Sequence, residues 1–182
     1  MRRWSELAER VAATTRTSEK TRLIAAHLRT LEPDELVPTA HFLAGRPFAQ
    51  GDGKATGIGW ATIAGVIHEV SGAPAEALRA AYDRSSDLGT AVGEVLAGAH
   101  GEGGGANDGG ANGTRTNGAD HHAHGHGHAA AHESPEEPTV AEAAEVFAAI
   151  ERASGAARKG ALLRDLLARV DPTSAKHLVR VL

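Results

Sequence analysis

The side chains with most capacity for chemistry in this 182-residue chain are its histidines and its clustered cations. Five of the 11 histidines fall in one run, His121, His122, His124, His126 and His128. Imidazole suits Zn, Ni and Cu, so the run could take up a transition metal adventitiously. A dedicated metal site needs ligands oriented by a surrounding shell, and the Gly/Ala neighbours supply none. His27, His41 and His68 stand singly on predicted helices and read as partly buried side chains rather than ligands. Two basic clusters, Ser18-Glu19-Lys20-Thr21-Arg22 and Ser154-Gly155-Ala156-Ala157-Arg158-Lys159-Gly160, stand at predicted helix starts. A helix N-terminus offers unpaired N–H groups and partial positive charge, so Lys or Arg there suits a phosphate contact, the alternative being a solvated charged face. From Arg158 to Arg180 six basic residues (Arg158, Lys159, Arg164, Arg169, Lys176, Arg180) face only Asp165 and Asp171.

Catalytic signatures are missing. The sequence has no G-x-x-x-x-G-K-[ST] loop, no H-E-x-x-H, no G-x-S-x-G and no dinucleotide fingerprint. With no cysteine there is no thiol nucleophile and no disulfide framework. Gly51-Asp52-Gly53-Lys54-Ala55-Thr56-Gly57 has glycines and a lysine, but no predicted strand precedes it. It reads as a flexible interhelical loop. No catalytic residue is expected.

The elements that must position these groups are helical throughout. Trp4, Leu7, Ala8 and Val11 make one apolar face, and Thr17 or Ser18 offers an N-cap to a stripe of Leu23, Ile24, His27, Leu28 and Leu31. Asp34 to Ala44 reads as a third helix ending at Gly45, with Arg46 to Ile58 a Gly-rich loop. Helical spacing resumes from Trp60 to Val70, from Pro74 through Tyr82, and from Asp87 to Leu96. Trp4 and Trp60 are expected as core anchors. Thr139-Val140-Ala141-Glu142 is a capping box opening a helix that Ser154-Gly155 ends. Leu162 to Val170 and Leu178 to Leu182 carry the last two apolar stripes, separated by Asp171-Pro172. The predicted class is all-α.

Composition splits the chain. It is 41% hydrophobic and 3% aromatic with a net charge of −4. Residues 1–98 hold 11 Lys/Arg against 12 Asp/Glu, residues 99–138 one against six, and residues 139–182 seven against five. The middle segment is Gly, Ala, Asn and His with little apolar bulk, too little to offset the entropy of ordering it. It is expected to be a disordered linker between helical parts 1–98 and 139–182. The acidic average therefore does not describe the helical parts and excludes no polyanionic partner. No apolar run approaches the ~18 residues of a membrane helix, and no apolar run follows Met1-Arg2-Arg3-Trp4. A cytoplasmic protein is the expectation.

The motifs in order carry a resemblance. They are W-x-x-L-A-x-x-V from Trp4, T-x-x-x-x-K-T-x-x-I-A-x-x-L-R from Thr15 to Arg29, and Phe42-Leu43-Ala44-Gly45-Arg46-Pro47. Gly57-Ile58-Gly59-Trp60-Ala61-Thr62-Ile63 follows, then Gly155 through Arg158-Lys159 to Ala175-Lys176-His177-Leu178-Val179-Arg180. With them the chain resembles the N-terminal DNA-binding domain of bacterial and archaeal-type ATP-dependent DNA ligases. The resemblance implies a compact multi-helix domain that clamps duplex or nicked DNA by its sugar–phosphate backbone, without reading sequence. DNA contacts are expected at Ser18, Lys20, Thr21, Arg22, Gly57, Gly59, Ser154, Gly155, Arg158 and Lys159. A whole ligase of this kind seals nicks in replication, repair and recombination through an enzyme–AMP intermediate, using ATP and Mg²⁺. Its nucleophile lies in K-x-D-G, whereas the nearest string here, Lys54-Ala55-Thr56-Gly57, lacks the aspartate. The chain is thus expected to be a monomeric, nucleoid-associated fragment without the adenylation and OB-fold domains, inactive alone and binding no cofactor. The rival reading is a helical interaction or metal-handling protein that works through the His-rich segment.

Overall fold

Apolar side chains recurring every three or four residues give each segment one face to bury, and helices result. The computed structural model describes residues 1–102 and 137–182. Among these residues there are nine helices and no strand. In chain order they are α1 (Arg2–Ala13), α2 (Thr17–Leu28), α3 (Pro33–Leu43), α4 (Trp60–Ser71) and α5 (Ala75–Ser85), then α6 (Leu88–Glu102), α7 (Val140–Arg152), α8 (Ala156–Leu167) and α9 (Pro172–Val181). The class is all-α, as the sequence predicts. The expected linker, including the five-histidine run, falls mostly outside the described residues. Where it was to begin, at residue 99, α6 instead continues to Glu102.

Helix ends follow local side-chain chemistry. At α7 the Thr139 hydroxyl accepts from the Glu142 N–H while Glu142 accepts from the Thr139 N–H at 2.7 Å, completing the predicted capping box. Asp171 accepts from the amides of Thr173 and Ser174 and starts α9, with Pro172 in the first turn where no N–H is needed. The cap expected at Thr17 or Ser18 is not made. Helix α2 starts after Arg16 with no side-chain cap, and the Thr21 hydroxyl donates back to the Thr17 carbonyl at 3.0 Å. Leu31 lies beyond the end of α2 at Leu28.

Helices from both sides of the undescribed segment share one core. Phe147 and Ile150 of α7, Leu163 and Leu167 of α8, Leu178 of α9, and Val92 and Leu96 of α6 are all buried in it. Burying each such side chain stabilises the fold by roughly 1.5–3 kcal/mol relative to exposure. The Trp4, Phe42 and Phe147 rings pack in succession at 5.6 and 5.4 Å between centroids, joining α1, α3 and α7. Helices α6 and α9 make the most extensive contact, and two glycines one turn apart permit it. A Cβ on Gly89 would stand 2.5 Å from the Lys176 carbonyl oxygen, and one on Gly93 would stand 3.2 Å from Lys176 Cβ.

Candidate nucleic-acid interface

The loop between α3 and α4 packs Phe48 and Ile58 on the core and is hydrogen-bonded to the last helices at Thr56, a residue the sequence does not single out. Thr56 is 2% exposed, and its hydroxyl donates to the Leu182 carbonyl at 3.0 Å. Its own carbonyl accepts from Lys159 Nζ at 2.6 Å. The next residue, Gly57, has φ +62, and a Cβ there would come within 3.1 Å of the same Nζ. Both the left-handed backbone and the close ammonium favour glycine. Gly59 then caps α4 with no side-chain hydrogen bond to the first turn. Across from it Gly155, at φ 80, begins α8 in the same uncapped way.

Helices α4 and α8 run alongside in the same direction. Gly160 faces Thr62 and Val66, and further along Arg164 pairs with Glu69 at 3.3 Å. Two helix N-termini therefore lie at one end of the pair, each with amides that no side chain among the described residues caps, and the Lys159 ammonium sits against Thr56 and Gly57 in the loop that leads into α4. One of its three protons is held by Thr56, which fixes its position and leaves two for a ligand. Arg158, exposed in the first turn of α8, makes no ion pair among the described residues. Aligned amides plus two cations are the donor set that an anion of phosphate type calls for. By contrast the N-terminus of α7 is closed, since Glu35 accepts from the Ala141 amide at 3.1 Å in addition to the capping box.

Half of the basic run from Arg158 to Arg180 is ion-paired with acids of the fold. Arg164 pairs with Asp165 at 3.0 Å, Lys176 with Glu9 at 2.6 Å, and Arg180 with Asp87 at 2.8 Å. Burial raises the Asp87 carboxyl, but the hydrogen bonds from Arg180 and Thr90 outweigh it and hold its pKa at about 2. His177, packed on Trp4 at 5.8 Å between ring centroids, is pushed down in pKa by burial. The adjacent Glu9 carboxylate opposes that shift. The local excess of positive charge read from sequence thus reduces, at the surface, mainly to the first turn of α8.

Comparison with known proteins bears on what such a site meets. Residues 1–107 match the family model described as DNA ligase N terminus. The chain belongs to that family. It is 31% identical to a probable DNA ligase of Opitutus terrae and 29% identical to one of Koribacter versatilis. Those alignments take in 99% and 97% of this chain but 18% and 25% of the relatives, so the chain spans a quarter or less of their lengths.

Within this ligase N-terminal fold the expected contact residues form two groups rather than one. Gly57, Gly59, Gly155, Arg158 and Lys159 gather at the ends of α4 and α8, with Ser154 just before them. Ser18, Lys20, Thr21 and Arg22 lie instead on α2, which packs chiefly against α1. There Arg22 shares a groove with Arg3 and Arg10. Trp4 is a core anchor at 2% exposure, but Trp60 is not. As first residue of α4 it is 39% exposed, its ring centroid 5.3 Å from that of Tyr82 in an edge-to-face pair. His27 and His41 are partly buried as expected, whereas His68 is exposed and bonds the Ala73 carbonyl at 2.6 Å. Among the described residues no group of three or more His, Cys, Asp or Glu could hold a metal ion. The candidate ligands His121, His122, His124, His126 and His128 lie outside those residues. No helix among the described residues is long and apolar enough to cross a membrane.

Proposed function

We propose that this chain is the DNA-gripping module of an ATP-dependent DNA ligase, holding nicked duplex by its phosphates and without reading sequence. The observation that carries this reading is the paired open N-termini of α4 and α8, with Lys159 hydrogen-bonded to Thr56 in the loop that leads into α4. Backbone amides and ammonium groups recognise phosphate oxygens, which are the same at every base pair. Ser18, Lys20, Thr21 and Arg22 then supply a second phosphate contact on α2, so that the duplex is held at two places along its backbone. In the whole enzyme of this kind, ATP and Mg²⁺ serve the transfer of adenylate that precedes sealing in replication, repair and recombination. The residues here do not fit that nucleotide. Thr56 stands where K-x-D-G has its aspartate and is tied to Leu182, and Lys54 is exposed on the loop. The module acts as a monomer in the nucleoid-bearing cytoplasm.

Fluorescence anisotropy of a labelled nicked duplex tests the proposal. Binding at low salt is expected for unrelated base sequences alike. Log K should fall linearly with log salt, by roughly 0.9 for each phosphate neutralised. Absence of binding at low salt overturns the reading.

A further inference from the structure

Core packing in this chain claims most of its few aromatic rings. Trp4, Phe42 and Phe147 are buried, yet Trp60 of α4 and Tyr82 of α5 stay 39% and 38% exposed. Their rings meet edge to face at an interplanar angle of 63°. With Arg79 and Asp83 they line a surface cleft of about 160 Å³. Arg79 and Asp83 lie 3.7 Å apart at its rim, a donor beside an acceptor.

We propose that this cleft receives one unpaired nucleobase of the bound DNA, at a flap, a gap or a frayed nick end. The inference rests on the DNA-binding reading and extends it from phosphates to a base. Trp60 links the two, because its backbone amide belongs to the open first turn of α4 while its ring forms a wall of the cleft. A phosphate held at that turn has its own base one sugar away, within reach of the rings. Aromatic faces take a base by stacking whatever its identity. The donor and acceptor at the rim meet the polar edge that a base exposes when it leaves its pair. A base paired within a duplex has its faces covered by its neighbours and cannot enter. The cleft therefore favours unpaired over paired nucleotides. A purely apolar partner would not use the cationic helix ends next door.

The test uses the whole chain with two unlabelled nicked duplexes, one closed and one bearing a short unpaired thymidine flap. The flapped DNA should quench tryptophan emission more than the closed DNA. That difference should vanish in Trp60→Phe, where the buried Trp4 is the remaining tryptophan. Tyr82→Ala should weaken flap binding by about tenfold, the scale of one lost base–aromatic stack. Closed-duplex affinity and the salt slope on both DNAs should not change, because no phosphate contact is removed. Tyr82→Phe, which keeps the ring, should bind the flap as the parent chain does. Equal weakening on both duplexes, or no weakening on the flap, overturns the inference while leaving the phosphate grip in place. If the parent chain binds neither duplex at low salt, the DNA-binding reading itself falls and this inference falls with it.

Discussion

Lys159 donates from Nζ to the Thr56 carbonyl at 2.6 Å across 103 positions of sequence. One bond thereby joins the loop that leads into α4 to the first turn of α8, where the packing of α4 on α8 brings both open helix ends together. The ammonium is held by a neutral carbonyl and not by a carboxylate, so its charge stays available to a polyanion. Arg164, Lys176 and Arg180 differ in that respect, each being matched by an acid within the fold.

Arg158 and Lys159 should therefore separate in mutagenesis. Arg158→Ala removes an exposed cation that makes no ion pair among the described residues. Its urea midpoint should move by no more than the ~0.5 kcal/mol typical of surface changes, while the salt slope for DNA binding falls by about one. Lys159→Ala should flatten the slope equally and also release the loop at Thr56, lowering stability by about 1 kcal/mol for the lost hydrogen bond. Anisotropy across a salt series, paired with urea titrations, reads both effects. An unchanged slope in both variants would remove this end of α8 from the interface.

Gly89→Ala tests the packing that supports α9. Its Cβ would meet the backbone oxygen of Lys176 at 2.5 Å and Arg180 Cγ at 2.6 Å. The first neighbour is main chain and cannot swing aside, so α6 and α9 must separate. Overpacking of this kind costs about 1–3 kcal/mol. Gly98→Ala, where nothing among the described residues stands within 4 Å of the new Cβ, is the matched control in the same helix. Thermal unfolding should show a clear drop for the first and little change for the second.

Helical class and most helix boundaries were legible because they depend on local patterns. The capping box at Thr139, the Asp171-Pro172 break and the buried stripes of α7 and α8 all formed as read. Features set by distant partners were not legible. Glu9 meets Lys176 from 167 positions away, and Asp87 meets Arg180 from 93, so a basic run in sequence became a neutralised interface in space. Trp60 shares its apolar spacing with Ile63 and Ile67, but at the end of a helix that spacing no longer ensures cover. At the candidate site the glycines and cations were visible by type. Their meeting at the Thr56 carbonyl was not, because a main-chain acceptor leaves no mark in the sequence.

Acid should weaken the α6–α9 contact through Asp87. Its pKa lies lowered from 3.8 to about 2 in the folded chain, so the unfolded chain binds a proton first as pH falls. The stabilisation is complete above pH 3.8 and disappears as pH drops through about 2. Asp87 is 40% exposed at its side chain, so solvent screening limits the contribution to about 1 kcal/mol. Asp87→Asn should lower the urea midpoint at pH 7 and reduce the loss seen between pH 4 and 2. An equal acid loss in the variant would place that sensitivity elsewhere.

Milder acid should act through His177 first. Burial lowers its pKa from 6.5 despite the Glu9 carboxylate 2.7 Å from Nε2, so the folded chain keeps the ring neutral where the unfolded chain protonates it. In that state Nε2–H donates to Glu9, and the contact needs no charge on the ring. The unfolded state then binds more protons, and stability declines as pH falls below 6.5. His27, lowered by burial and by Arg3, adds to the same decline. Urea titrations followed by Trp4 emission in a Trp60→Phe background should give midpoints that fall between pH 8 and pH 5. His177→Gln, which can still donate to Glu9 but does not titrate, should start from a lower midpoint and lose less over that range. A midpoint that rises on acidification would mean that the Glu9 contact, not burial, sets the protonation of His177.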